Sequence, residues 1–411
     1  MFCIVLTYSY LCKQNVLKLM KQKIESWLAH PFFKDYRTLF GLWMLLSVVA
    51  AIMKMHSHNN FLIFRGVFWH TWQQTSLFEA YPAEYFDVNH YGPLFSLIIA
   101  PFAVVPEWLG LTMWCIVLSL FLYMAIRRSL LTSRQQLFVL WFCAHELLTA
   151  LYMQQFNIAI AAIILLAFFL IEQERDTSAA FFIVLGTLVK LYGIVGLAFF
   201  FFSKHKVRFV LSLIGWGIVL FLLPMLISNV EYITGQYAEW FNCLMGKNDE
   251  NMMASHQNIS LLGMVRKISG CTTYSDLWLI VPGLLLFAAP YLRFSQYKFM
   301  AFRQTLLASV LMFVVLFSTG SESSGYIIAL IGVVIWYTCV PWQRTGWDIA
   351  LLVFVFILSS LSPSDLFPAA LRREWVQPYA LKALPVAVVW LKLCYEICFK
   401  KYGTPENVAN N

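Results

Sequence analysis

The sequence predicts an all-α polytopic membrane protein, and three observations predict it. Of the 411 residues, 60% are hydrophobic. Charged residues make up only 12%, against about 25% in an ordinary soluble domain. Apolar runs close to the roughly 20 residues needed to span a bilayer recur along the chain. So few charges cannot coat a soluble protein of this size, which excludes a cytosolic enzyme, a nucleic-acid-binding module and a disordered chain. The formal net charge of +8 is read as a topology signal.

Taken in order, the first twelve residues, MFCIVLTYSYLC, are apolar but too short to span, and they lack the features of a signal peptide. Apolar runs follow at 39–55, 92–106, 108–126, 136–151, 156–171, 178–203, 209–228, 277–292, 304–319, 325–341, 347–361 and 380–398, or about 12 transmembrane helices. Basic residues cluster before the first run (Lys13, Lys18, Lys21, Lys23, Lys34, Arg37). They recur at Lys204, Lys206 and Arg208, at Arg293, Lys298 and Arg303, at Arg344, and at Lys400 and Lys401. An even number of spans puts these groups on one side, which the positive-inside rule makes the cytoplasm. The expected organisation is a cytoplasmic segment 1–38, a transmembrane domain 39–399 and a cytoplasmic tail 400–411. Two long, acidic outer loops occupy 56–91 and 229–276. Arg127, Arg128 and Arg134 admit two versions. Either 92–106 and 108–126 each cross, which leaves these arginines outside. Or 92–126 crosses once with a re-entrant first half, and 178–203 folds back at Lys190.

The first outer loop carries Glu84 and Asp87 three residues apart, then His90, Tyr91 and a Pro93 suited to open a helix. Aromatic residues at helical spacing over 60–72 (Phe61, Phe64, Phe68, Trp72) predict an amphipathic helix in the interface or an aromatic belt. The second loop contains HQNISLLGMVRK, in which His256, Gln257, Asn258 and Ser260 precede an amphipathic turn ending in Arg266 and Lys267. The nine cysteines include no C-x-x-C pair, so no metal site is expected. A Cys243–Cys271 disulfide remains one option.

Polar residues inside the spans carry most information, because lipid penalises them. His145 and Glu146 share one span, and Gln154, Gln155 and Asn157 open the next. Lys190 lies in the apolar LGTLVKLYG, which makes it a functional candidate by default, with Glu146 as its candidate ion-pair partner. Glu322, in STGSESSGY, is either a helix cap or a site residue.

These segments, in this order, resemble glycosyltransferase family 87: NNFLIF, YGPLFSLIIAPFAVVP, QQFN opening a span, VKLYG in a later one, and HQNISLLGMVR in an outer loop. SESSGYIIAL and LSPSDLFPAALRREWVQPYALKALP are similar to the form common in Bacteroidota. The similarity runs from about residue 39 to 395. The resemblance implies a GT-C-like bundle in a bacterial inner membrane, with the catalytic pocket at the outer face. It implies hexosyl or mannosyl-type transfer from a polyprenyl-phosphate sugar to a glycan or glycolipid acceptor, with no further cofactor. The family's catalytic Asp precedes the aromatic segment of the first outer loop, where this chain has Asn59 and Asn60.

An amide cannot accept a proton as a base, so Asp87 becomes the expected general base, with Glu84 second. The leaving phosphate needs cationic donors, for which Arg65, Lys190 and Arg266 are candidates. His256, Gln257, Asn258, Gln155 and Asn157 are candidates for sugar hydroxyls, and Asn60, His90, Tyr91 and Glu322 complete the set. Two other readings stand beside this one. One is a transporter or flippase using Lys190, Glu146 and His145 as a charge path, although no internal repeat supports it. The other is an inactive relative acting as a scaffold.

Overall fold

A long apolar run can satisfy its backbone polar groups only within itself, and in lipid the helix does so. The computed structural model describes residues 30–251, 253–254 and 257–403, and among these it is helical with no strand. Lys13, Lys18, Lys21, Lys23 and His256 lie outside the described residues. Among the described residues, three helical stretches are long and apolar enough to cross a membrane by length and composition: Tyr36–Lys54, Glu107–Arg127 and Lys206–Leu226. Several shorter apolar helices accompany them.

The chain opens with α1 (Tyr36–Lys54), α2 (Asn59–Gln73), α3 (Phe95–Ala103) and α4 (Glu107–Arg127). Asp35 caps α1 by accepting from the Arg37 amide at 2.8 Å. At one end His58 Nε2 meets Glu107 Oε1 at 2.8 Å. At the other, the Arg127 guanidinium stacks on the Tyr36 ring, 3.3 Å from its centroid. Helices α1 and α4 therefore run antiparallel. With its nine residues, α3 reaches only about 14 Å and leaves the bundle at the end where it enters. Gly92 donates to the Val189 carbonyl just before it, and Arg65 Nη2 donates to the Ala103 carbonyl at its close. Within 92–126 the first part is thus a short helix at the Glu107 end of the bundle, and Arg127 lies with Tyr36 at the far end.

Next come α5 (Ser133–Phe142), α6 (Ala144–Tyr152), α7 (Asn157–Glu172) and α8 (Asp176–Val189). The run 178–203 is not one helix. Helix α8 stops at Lys190, whose backbone is extended, and a 3-10 run over Leu191–Phe202 returns alongside it. Two glycines make this reversal possible. A Cβ on Gly193 would collide with the Gly186 backbone, and one on Gly196 would press on Ile183. The fold-back thus brings Lys190 to its apex at the α7 N-terminus, while Lys204 and Glu174 pair at the far end at 2.6 Å.

The remaining helices are α9 (Lys206–Leu222), α10 (Val230–Asn251), α11 (Leu261–Ser269), α12 (Leu277–Ala288), α13 (Met300–Leu316), α14 (Tyr326–Thr338), α15 (Gly346–Phe354) and α16 (Ala383–Phe399). Helices α7, α13 and α14 are buried on nearly every face and form the middle of the bundle. Both long loops are themselves partly helical. Helix α2 covers the predicted 60–72 and buries Phe61, Phe64 and Phe68 against the protein, leaving Trp72 exposed. Helix α10 then lies over the rest of the first loop. Gln236 accepts from the Leu77 amide at 2.7 Å, and Trp240 donates to the His90 carbonyl at 2.9 Å.

The pairing expected between Lys190 and Glu146 is corrected. Glu146, fully buried on α6, binds Lys382 at 2.7 Å, across 236 positions of sequence. Lys382 also donates to the Ser323 carbonyl and hydroxyl, both at 2.9 Å. Removing one member of a buried pair strands the other charge, at about 3–5 kcal/mol. Thermal unfolding of the purified protein should therefore show Lys382→Met and Glu146→Gln each strongly destabilised. The double variant Glu146→Leu/Lys382→Met should recover most of the loss. Single variants unfolding at the wild-type temperature would contradict the pair.

Candidate active site

At the apex of the fold-back, five separate stretches of chain bring polar groups together. Lys190 Nζ donates to Asn157 Oδ1 at 2.8 Å, and Asn157 Nδ2 passes a hydrogen bond to Ser324 Oγ at 3.0 Å. The ammonium also lies over two rings, 5.4 Å from the Tyr91 centroid and 5.1 Å from that of Tyr192. Tyr91 Oη donates to Gln155 Oε1 at 2.6 Å, and Tyr192 Oη shares a 2.8 Å hydrogen bond with Ser318 Oγ. The Glu322 carboxylate acts electrostatically on Lys190, Tyr91 and Tyr192 alike. Burial, with Glu322 adding to it, pushes the Tyr91 hydroxyl well above the usual phenol range, so it stays protonated.

The structure thus joins Tyr91, Gln155, Asn157, Lys190 and Glu322 into one cluster. Sequence reasoning missed Tyr192, Ser318 and Ser324. Tyr192 stands two residues after Lys190 in VKLYG, and Ser324 two after Glu322 in SESSGY, so proximity to a candidate was the available signal.

The first-loop carboxylates have different surroundings. Glu84 reaches the buried His70 at 3.2 Å, which fastens the loop to α2. Asp87 has φ 71, a left-handed backbone that Asp tolerates better than most residues. Its side chain is 51% exposed. Its Oδ1 accepts from the Val88 amide at 2.9 Å and lies 4.0 Å from His90 Nε2. Asn59 holds the residue before it: Asn59 Nδ2 donates to the Phe86 carbonyl and Asn59 Oδ1 accepts from the Phe86 amide, both at 2.7 Å. Asn60 Nδ2 donates to the Met153 carbonyl at 2.8 Å. Both contacts need an amide donor, which an Asp carboxylate lacks. His90 Nδ1 contacts Cys243 Sγ at 3.3 Å. Cys243 and Cys271 are not joined by a disulfide.

The two candidate arginines are committed to the protein. Arg65 holds the Ala103 carbonyl at 3.0 Å and lies 3.8 Å from Glu107. Arg266 is 1% exposed and binds Asp276 at 2.6 Å, with further bonds to the carbonyls of Thr272 and Tyr274. Asn258, with φ 51, is buried and accepts from Ser260 Oγ at 2.7 Å. The Gln257 carbonyl accepts from Lys267 Nζ at 2.9 Å. Burial pushes that ammonium down to about 8.

A cavity of about 590 Å³ opens beside the cluster, between the 3-10 run, α11, α12 and α13. Its lining is apolar at Ile194, Val195, Ile280 and Phe313 and polar at Tyr192, Ser318, Tyr274 and the Arg266–Asp276 ion pair. Two donors there are buried without a hydrogen-bond partner among the described residues, Arg266 Nε and Tyr274 Oη. Buried donors of this kind call for an acceptor. The space is therefore suited to an amphiphile with an apolar tail and an oxygen-rich head.

Against known proteins, the model of glycosyltransferase family 87 matches residues 89–319. No curated protein matches the chain. The matched region contains Tyr91, Gln155, Asn157, Lys190 and Arg266, begins two residues after Asp87 and ends three before Glu322. It covers more than half of the 411 residues, and the chain belongs to glycosyltransferase family 87.

Proposed function

We propose that this protein is a GT-C-like enzyme of a bacterial inner membrane. It moves a sugar, of hexosyl or mannosyl type, from a polyprenyl-phosphate donor to a hydroxyl of a glycolipid or glycan acceptor at the extracytoplasmic face, with inversion. The observation that carries this reading is the groove of about 590 Å³, lined by apolar residues and shared with the Lys190 cluster through Tyr192 and Ser318. A polyprenyl tail fits the wall, and the phosphate then reaches Lys190, Arg266 Nε and Tyr274 Oη. Gln155 and Asn157 stand where sugar hydroxyls would follow. Of the three groups of a transporter's charge path, two are engaged away from Lys190, Glu146 by Lys382 at 2.7 Å and His145 by Ser360 at 3.2 Å, which favours the enzyme.

In the transfer, an acceptor oxygen forms a bond to the anomeric carbon as the bond from that carbon to the phosphate oxygen breaks. The electron pair leaves with the phosphate, and the acceptor proton passes to a base. Inversion places acceptor and leaving group on opposite faces of the sugar. A carboxylate beside Lys190 is on the phosphate side, so Glu322 serves as the counterion of Lys190 before the donor arrives. Asp87, half exposed and four residues ahead of Tyr91, is the proposed base, and the Asn59–Phe86 clamp sets its position. Glu84, bound to His70, fastens the loop.

Twelve passes with both termini in the cytoplasm fit this assignment, with α3 as a re-entrant segment and the chain reversing at Lys190. Reporter fusions at residue 240 should read outside, and fusions at 205 or 405 inside. A cytoplasmic signal at 240 would put the site in the wrong compartment.

Transfer from a polyprenyl-phosphate sugar by the purified protein tests the chemistry. Loss of a positioned base costs about 10²–10⁴ in rate. Asp87→Asn should lose that much in kcat, while Lys190→Met should lose activity far more than expression. Glu322→Gln should change KM for the donor more than kcat. Full turnover in Asp87→Asn would remove it as base, and a kcat collapse confined to Glu322→Gln would pass the role to Glu322. A wild type that transfers nothing from any such donor would overturn the reading.

A further inference from the structure

We propose that a second groove, at the end of the bundle away from Lys190, binds an anionic phospholipid. The groove encloses about 530 Å³ between α4, α7, α8 and α9. Its floor is apolar and aromatic, with Phe121 and Phe169 facing Phe181 and Trp216. The indole is fixed, since Trp216 donates to the Thr177 carbonyl at 3.1 Å and packs on Phe181 with centroids 4.9 Å apart.

The rim carries the opposite character. Arg128 closes α4 and Arg175 precedes α8, and both line the groove and are exposed. Among the described residues, neither guanidinium makes an ion pair or side-chain hydrogen bond, whereas Arg127 next door is bound to Gln136 at 2.7 Å. Arg208 reaches the same rim through Thr177 Oγ1 at 3.4 Å. Neither carboxylate flanking Arg175 lines the groove: Asp176 is buried, and Glu174 is paired with Lys204 at 2.6 Å. Arginines brought from separate elements to the mouth of an apolar slot match an acyl chain carrying an anionic head. If the topology proposed above is right, this end lies in the cytoplasmic leaflet, which carries anionic lipid and attracts basic groups. The lipid would bridge α4 and α8 without touching the Lys190 cluster.

Native mass spectrometry and thermal unfolding of the full-length protein in detergent test this, with phosphatidylglycerol, phosphatidylcholine and inorganic phosphate as probes. Wild type should bind phosphatidylglycerol about tenfold better than phosphatidylcholine and be stabilised by it, with no shift from inorganic phosphate. Arg128→Gln/Arg175→Gln, two exposed changes that leave the core intact, should bring the two lipids to parity. Ser178→Trp should block both by filling the groove, and Lys190→Met should retain the preference. Equal binding of the two lipids by wild type would overturn the proposal, as would a preference that survives the double arginine change. Stabilisation by phosphate alone would overturn the lipid as ligand, and loss of the preference in Lys190→Met would assign the lipid to the donor groove. Because the readout is lipid binding, it stands or falls separately from the sugar-transfer assay.

Discussion

The reversal of the chain at Lys190 is the constraint on which the site depends. A helix continuing through this run would bury the lysine against apolar neighbours, where an unpaired charge is costly. Instead Gly186 and Gly193 let the 3-10 run lie against α8 with backbone nearly touching backbone, and the side chain emerges at the bend. There it meets Asn157 at the start of α7 and two aromatic faces. The same bend anchors the start of the segment that leads into α3, because the Val189 carbonyl accepts from Gly92. One backbone event therefore positions Tyr91, opens the groove beside Tyr192 and sets the lysine next to that ring.

The surroundings hold this arrangement with buried polar groups that are matched to one another. Lys382 ties Glu146 to Ser323, and Ser324, the next residue, receives the hydrogen bond from Asn157. The short stretch around Glu322 is thus fixed from both sides, by a buried ion pair behind it and by the Lys190 chain in front. Such networks are stable only when each member is satisfied, so the two buried donors at the head of the groove, Arg266 Nε and Tyr274 Oη, stand out as places for a ligand oxygen.

Composition and apolar runs made the helical membrane class legible, and most run boundaries fall within a few residues of the helices observed. What the runs could not convey was direction. The stretch 178–203 reads either as one span or as a fold-back at Lys190, because a glycine pair in an apolar run is as compatible with a straight helix as with a hairpin. The arginines at 127 and 128 raised the conflict, and the structure sets Arg127 against Tyr36, at the end of the bundle away from Glu107 and His58. Tyr91, Gln155, Asn157 and Glu322 each stood out singly as polar groups near span ends and Lys190 as a cation inside an apolar run, but their meeting depends on contacts up to 167 positions apart. The Glu146 partner was misassigned for the same reason. Lys382 sits close to a predicted span boundary, where lysines ordinarily reach for the interface, and nothing local marks it as buried. Asn59 and Asn60 look like lost catalytic groups in the sequence, whereas in the fold they are clamps on the Phe86 and Met153 backbone.

The central claim is that Lys190 is the anion-binding group at the head of an apolar groove. Binding of polyprenyl phosphate and of the uncharged polyprenol, compared in wild type and Lys190→Met, tests it without requiring turnover. The account predicts that wild type prefers the phosphate and that Lys190→Met binds the two alike, with its affinity for the alcohol unchanged. A Lys190→Met protein that keeps the full preference for the phosphate would contradict it.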